Sequence, residues 1–156
     1  MNSRDPSLLI EQIAAVFPVE PIPTAAEVIK EGLYEDLERE EIREFFAGRP
    51  WTAVTPKDVF RFRLGLFDFS KRAFAYYTAA WMTCILLDLD AVDTADMELV
   101  SGLRTADPNF WTKEQRRVIC DWLAWMEERD DLLPFEREHV MAAAKNLGCA
   151  WSHDPS

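Results

Sequence analysis

Fifteen consecutive residues, Ala73 to Leu87, carry no charge: A-F-A-Y-Y-T-A-A-W-M-T-C-I-L-L. In a chain with 29% charged residues, such a gap marks an element shielded from water. The run falls short of the roughly 20 residues that a helix needs to cross a bilayer. Read as a helix it is apolar on almost every face, and such a helix belongs inside a bundle. It therefore predicts the central helix of the fold, over residues 70–87.

Start and stop signals divide the rest of the chain. Asp5-Pro6 offers an N-cap followed by proline at the first helical position, and Pro18 closes the helix they open. The segment V-E-P-I-P that follows holds two prolines and reads as an extended connector. Thr24 and Glu27 form a capping box, starting a helix or short turn that Gly32 interrupts. Leu33 to Ala47 reads as a charged helix ended by Gly48, with Leu37, Ile42, Phe45 and Phe46 as its apolar stripe. Thr55-Pro56-Lys57-Asp58 joins a cap, a proline and an acid, opening a helix expected to stop near Gly65. Ser70 caps the central helix, with Phe69 and Phe74 at the staple positions around it.

Residues 88–109 are less regular, with a short helix expected from Ala95 to Leu103. Thr112 and Gln115 form another capping box. The helix behind it presents Ile119, Trp122, Leu123 and Met126 on one face. Pro134 opens a last helix that Gly148 ends, and residues 151–156 read as a frayed tail. V-F-R-F-R-L alternates like a strand but lies among helix-start signals. The expectation is one all-α domain over residues 1–150, a bundle of six to eight helices around the uncharged run.

Composition narrows the setting. The first residues hold no uninterrupted apolar stretch of the kind a signal peptide needs. Three widely spaced cysteines, Cys84, Cys120 and Cys149, read as buried reduced thiols, which suits a cytoplasmic protein. A formal net charge of -11 works against nucleic-acid binding and against docking on anionic lipid. It is compatible with a basic partner protein.

Chemical motifs are sparse. Glu136 and His139 are spaced to share a helix face, but a di-iron bundle needs two such pairs and the chain has only two histidines. Cys149 and His153 resemble half a zinc site without a second half. The serine-hydrolase elbow and the phosphate-binding lysine loop are absent from the sequence. No cofactor is expected, and catalysis is the weaker expectation.

Charge is segregated more clearly. Residues 56–72 hold five bases against two acids, and residues 20–44 hold nine acids against three bases. Either the two segments face each other or water within one fold, or the basic one forms an aromatic-flanked surface that binds an anion or pairs with an acidic surface in a dimer. On the second reading Arg61 and Arg63 supply the cation, beside an aromatic pocket near Tyr77, Trp81 and Trp111. Tyr76 and Tyr77 point in different directions on one helix, so one ring can be core while the other faces a cleft.

Two stretches carry a resemblance. Leu66 to Trp81 resembles a motif of a family of small, uncharacterised bacterial proteins, roughly Leu-x-Phe-Leu-Ser-x-Glu-Ala-Phe-x-Tyr-Tyr-Leu-Pro-Ala-Tyr. Phe110 to Leu123 resembles the same family's later Phe-Thr-x-Glu-Gln helix start, and Trp51 matches its upstream tryptophan. The resemblance covers residues 40–127. The chain departs from it at Thr78-Ala79, where Leu-Pro is usual, and at Arg72, where an acid is common. Losing that proline predicts a straight central helix. The family is a domain of unknown function, so the resemblance implies a fold and a bacterial origin and transfers no catalytic role. Small acidic single-domain proteins of this kind also resemble immunity or antitoxin-like proteins as a class.

Three functional expectations follow. The first is an acidic cytoplasmic interaction protein that binds a basic partner. The second is a small-molecule or anion-binding protein, or an enzyme, with its pocket at Tyr77, Trp81 and Trp111. The third is a structural homodimer.

Overall fold

The prolines and caps read from the sequence fall where the helices begin. The computed structural model describes residues 5–31 and 37–152. Helix α1 (Pro6–Val16) starts behind Asp5, whose carboxylate accepts from the Ser7 amide at 2.7 Å. Next come α2 (Ala25–Val28), α3 (Leu37–Phe46) and α4 (Pro56–Arg61). The central α5 (Lys71–Leu87) follows, then α6 (Leu89–Val92), α7 (Ala95–Thr105), α8 (Lys113–Glu127) and α9 (Pro134–Asn146). Six of these have seven residues or more, and the described residues contain no strand. The architecture is an all-α bundle. No described helix is long and apolar enough to cross a membrane.

Helix α5 is the centre for the reason its composition gives. Ala73, Tyr77, Ala79, Ala80, Trp81, Met82, Cys84 and Ile85 are buried over most of its circumference, leaving Ala75, Tyr76 and Leu86 partly exposed. Ser70 accepts from the Ala73 amide at 3.0 Å, and the helix runs without a break to Leu87. Helices α1, α4 and α7 pack against it, while α8 and α9 close the far side by way of α1 and α7. Gly102 on α7 permits one of these approaches. A Cβ there would lie 2.7 Å from the Phe74 ring, inside van der Waals contact.

Of the two readings behind Thr24, a helix or a short turn, the short turn holds, because Ile29 leaves it after Val28 to bridge Phe69 in an isolated antiparallel pair. The Lys30 amide donates to the Asp68 carbonyl at 3.0 Å, and the Ser70 amide to the Val28 carbonyl at 2.8 Å. This pairing fixes the entry to α5. The expected start of the next helix, residues 33–36, lies outside the described residues. Leu37, assigned to its apolar stripe, is 84% exposed, whereas Ile42 and Phe46 do the burying. Helix α4 does not continue to Gly65 but tightens after Arg61 into a 3-10 turn, Arg63–Asp68. That turn presses Gly65 against Ile42, whose Cδ1 lies 2.9 Å from where a Cβ would sit.

The cysteine expectation is overturned for two of the three. Cys120 on α8 and Cys149 just after α9 form a disulfide, their Cα atoms 5.5 Å apart. Cys84 alone is a buried free thiol, and burial pushes its pKa up to about 12. Disulfides persist in oxidising surroundings. The pairing thus removes the ground on which the cysteines had pointed to the cytoplasm. The expected fraying at residue 151 is also corrected. Ala150–Ser152 form a 3-10 turn, and the Trp151 indole donates to the Cys120 carbonyl at 3.0 Å. Residues 153–156, with His153, lie outside the described residues.

The two charge-segregated segments meet within the fold. Arg72 pairs with Glu27 at 3.1 Å, and Arg39 with Asp68 at 3.3 Å. Each pair joins one segment to the other.

Candidate functional site

Consecutive residues on a helix point about 100° apart, and on α5 that rotation separates two environments. Tyr77 turns inward. Its ring lies 4.9 Å from Phe46 and 5.4 Å from Phe69, and its hydroxyl is 2.7 Å from the carbonyl oxygens of both Phe46 and Arg49. Burial holds that hydroxyl well above the ordinary phenol range. Trp81, one turn on, packs its ring against Phe46 and Phe69 and is wholly buried. Its indole nitrogen has no hydrogen-bond partner there. Neither side chain lines a cleft, so the pocket expected at Tyr77 and Trp81 is filled by phenylalanine rings.

Tyr76 turns outward, to the connector between α1 and α2. Its hydroxyl donates to the Val19 carbonyl at 2.6 Å and accepts from the Trp51 amide at 3.0 Å. Beside it opens a cleft of about 440 Å³. The walls are Phe17, Pro18 and Pro21 on one side, Ala75 and Tyr76 on α5, and Phe110 and Trp111 ahead of α8. Trp111 is thus the one member of the expected aromatic trio that does face a cleft. Its indole donates to the Ala75 carbonyl at 3.1 Å, and its ring centroid lies 6.0 Å from that of Phe74.

The polar atoms of this cleft are largely committed to holding its shape. Gln115 donates through Nε2 to the Val16 carbonyl at 3.1 Å, while its Oε1 accepts from the Thr112 amide. Together with the Trp51 indole, which reaches the Phe17 carbonyl at 3.3 Å, it satisfies carbonyls left open at the end of α1. Arg72 donates to Glu27 at 3.1 Å and to the Pro21 carbonyl at 2.9 Å. The Thr24 amide and Arg72 together keep the Glu27 carboxyl below the usual carboxylate range. Two charged groups at the rim, the Lys71 ammonium and the Glu20 carboxylate, have no hydrogen bond or ion pair to a described residue.

Arg61 and Arg63 stand elsewhere. Arg61 lies over the Phe62 ring, 4.5 Å from its centroid. Arg63 lies 4.4 Å from the centre of Phe60 and donates to the Phe60 carbonyl at 2.7 Å. Both line a smaller cleft shared with Glu38 and Glu41, so acids already face them. They do not join Trp111. Two cations of the same basic segment do, Lys71 and Arg72, and Arg72 is already held by Glu27 and the Pro21 carbonyl.

The remaining motifs have structural uses. Glu136 accepts from the Leu133 amide at 2.9 Å as a helix cap, and His139 Nδ1 lies 2.6 Å from the Arg104 guanidinium. Asp96, buried at the start of α7, pairs with Arg129 at 2.7 Å, and Arg129 also holds Asp131 at 2.7 Å. Among the described residues no group of three metal-ligating side chains occurs. No family model, curated protein or solved structure matches this chain.

Proposed function

We propose that this chain is a non-catalytic binding protein whose ligand is a flat, apolar molecule bearing an anionic group. The observation that supports the reading is the cleft between Tyr76, Phe110 and Trp111. It has aromatic walls, hydrogen-bonding groups turned to the protein's own backbone, and one rim lysine without a partner among the described residues. Apolar walls with a few placed polar groups are the usual makeup of a small-molecule site. A planar ring would lie against Tyr76 and Phe110 and meet the 4% of Trp111 that stays exposed, with its acid toward Lys71. Glu20 would oppose the acid and select against ligands with higher negative charge.

A titration with 2-naphthoate tests the reading. The expected result is saturable binding with Kd below about 1 mM, weakened about two- to five-fold by Lys71→Gln, the size of an exposed ion pair. Glu20→Gln should strengthen binding by a similar factor. Equal affinity for naphthoate and the uncharged 2-naphthalenemethanol would remove the anionic part of the proposal.

A second reading, an interaction protein for a basic partner, is supported by the net charge of -11 and by exposed Phe60, Leu64 and Phe67 on one short stretch. It includes the immunity-like analogy. A pulldown from the native host that recovers no stoichiometric partner would sink it.

A further inference from the structure

A second cleft, of about 450 Å³, lies between α8 and the chain that follows α9. Lys113, Arg116, Arg117, Cys120 and Asp121 line it from one face of α8, as their spacing of three, four, seven and eight residues requires. Cys149 and Trp151 close it from the other side. Three cations to one carboxylate reverse the sign of a protein whose net charge is -11. Arg116 keeps one N–H on the Pro108 carbonyl at 3.3 Å. Lys113 and Arg117 have no hydrogen bond or ion pair to a described residue. The two half-cystines differ in access: Cys149 is 1% exposed, and Cys120 is half-buried.

We infer that the Cys120–Cys149 disulfide is a thiol-exchange site built for an acidic thiol, a small peptide or metabolite carrying carboxylate or sulfonate groups. The disulfide itself is the electrophile, and the cations along α8 gather the anionic reactant and favour its thiolate form. The thiolate attacks Sγ of Cys120, the less buried of the two half-cystine residues. A bond forms between the incoming sulfur and Cys120, the Cys120–Cys149 bond breaks, and Cys149 leaves as a thiolate that takes a proton from water. A second thiolate then attacks the incoming sulfur of the mixed disulfide and releases Cys120. The net change is a protein dithiol and one oxidised small disulfide, two electrons having passed from two thiols to the protein. Trp151 reports the event, because its indole is bonded to the Cys120 carbonyl and its turn begins one residue after Cys149.

Three small thiols of different charge test this on the intact protein: 2-mercaptoethanesulfonate, 2-mercaptoethanol and cysteamine. Exchange is followed by Trp151 fluorescence and by the mass of the adduct, with rate constants expressed per thiolate. The expected order is anionic, neutral, cationic. The span should be about 10-fold at low ionic strength, shrinking toward unity at about 1 M salt, where the screening length falls to roughly 3 Å. The double variant Lys113→Gln/Arg117→Gln should flatten the series while leaving the neutral thiol's rate unchanged. Trapping with limiting thiol and alkylation should place the adduct on Cys120 and the alkyl group on Cys149. Equal rates across the series in the unmodified protein, a series unchanged by the double variant, or an adduct on Cys149 would overturn the inference.

Discussion

Tyr76 and Tyr77 are neighbours in sequence and opposites in use. Around Tyr77 the space is closed: the residue is wholly buried, the rings of Phe46, Phe69 and Tyr76 pack on it, and its one O–H is shared between two backbone carbonyls. Around Tyr76 the same residue type braces a connector and leaves an open cleft against Trp111. Both hydroxyls are hydrogen-bonded, so chemistry does not separate them. What separates them is whether a neighbouring element supplies rings to fill the volume. At Tyr77 α3 does so with Phe46; at Tyr76 the proline-rich connector meets the hydroxyl at Val19 but brings no aromatic ring onto the side chain.

The largest expected effect lies on the closed side. Trp81→Ala should cost about 3–5 kcal/mol in denaturant unfolding, the range for truncating a buried tryptophan. A loss below about 1 kcal/mol would break the distinction between core and cleft. Tyr77→Phe should cost about 1–3 kcal/mol, because the single O–H shared between the Phe46 and Arg49 carbonyls is lost and the Phe46 carbonyl keeps the Arg49 amide as its donor.

The closed side should also show in alkaline solution. The Cys84 thiol is pushed up to about 12, and burial raises Tyr77 as well. The unfolded chain releases the thiol proton from near pH 8.5, so between there and about pH 12 the folded state binds more protons. Stability then falls as pH rises, by at most about 1.4 kcal/mol per unit for this one group. Unfolding free energies at pH 8 and pH 10 should differ in the native sequence, and Cys84→Ala should reduce the difference. An unchanged slope in that variant would show the thiol to be uninvolved.

On the open side the effects are smaller and of another kind. Tyr76→Phe removes bonds to Val19 and Trp51 at a partly exposed position and should cost about 1 kcal/mol. Lys71→Gln should leave stability within about 0.5 kcal/mol, as an exposed substitution does. It should alter only the affinity for an anionic ring. If Lys71→Gln instead shifted stability and left binding untouched, the cleft would be a structural seam.

Much of this was legible beforehand because caps and burial are local signals. Asp5, Thr55, Ser70 and Thr112 each cap the helix their spacing foretold, and the uncharged run became α5. The facing of Tyr76 against Tyr77 was not legible, since it depends on what other elements bring. Arg61 and Arg63 drew notice by charge density. Their guanidinium groups settled on Phe62 and Phe60, and Lys71, counted in the same segment, reached the cleft. The Cys120–Cys149 pairing escaped for a related reason: 29 residues of separation say nothing about whether the middle of α8 meets the chain after α9.

The central claim is that Trp111 faces a ligand site and Trp81 does not. The chain has six tryptophans, so an indole N–H spectrum holds at most six resonances, each assigned by substituting its tryptophan with phenylalanine. Titrating 2-naphthoate into the protein should move the Trp111 resonance in a saturable way and leave those of Trp81 and Trp122 in place. A shift at Trp81 equal to that at Trp111, or no shift at Trp111 with ligand at about 5 mM, five times the Kd limit proposed here, would contradict the account.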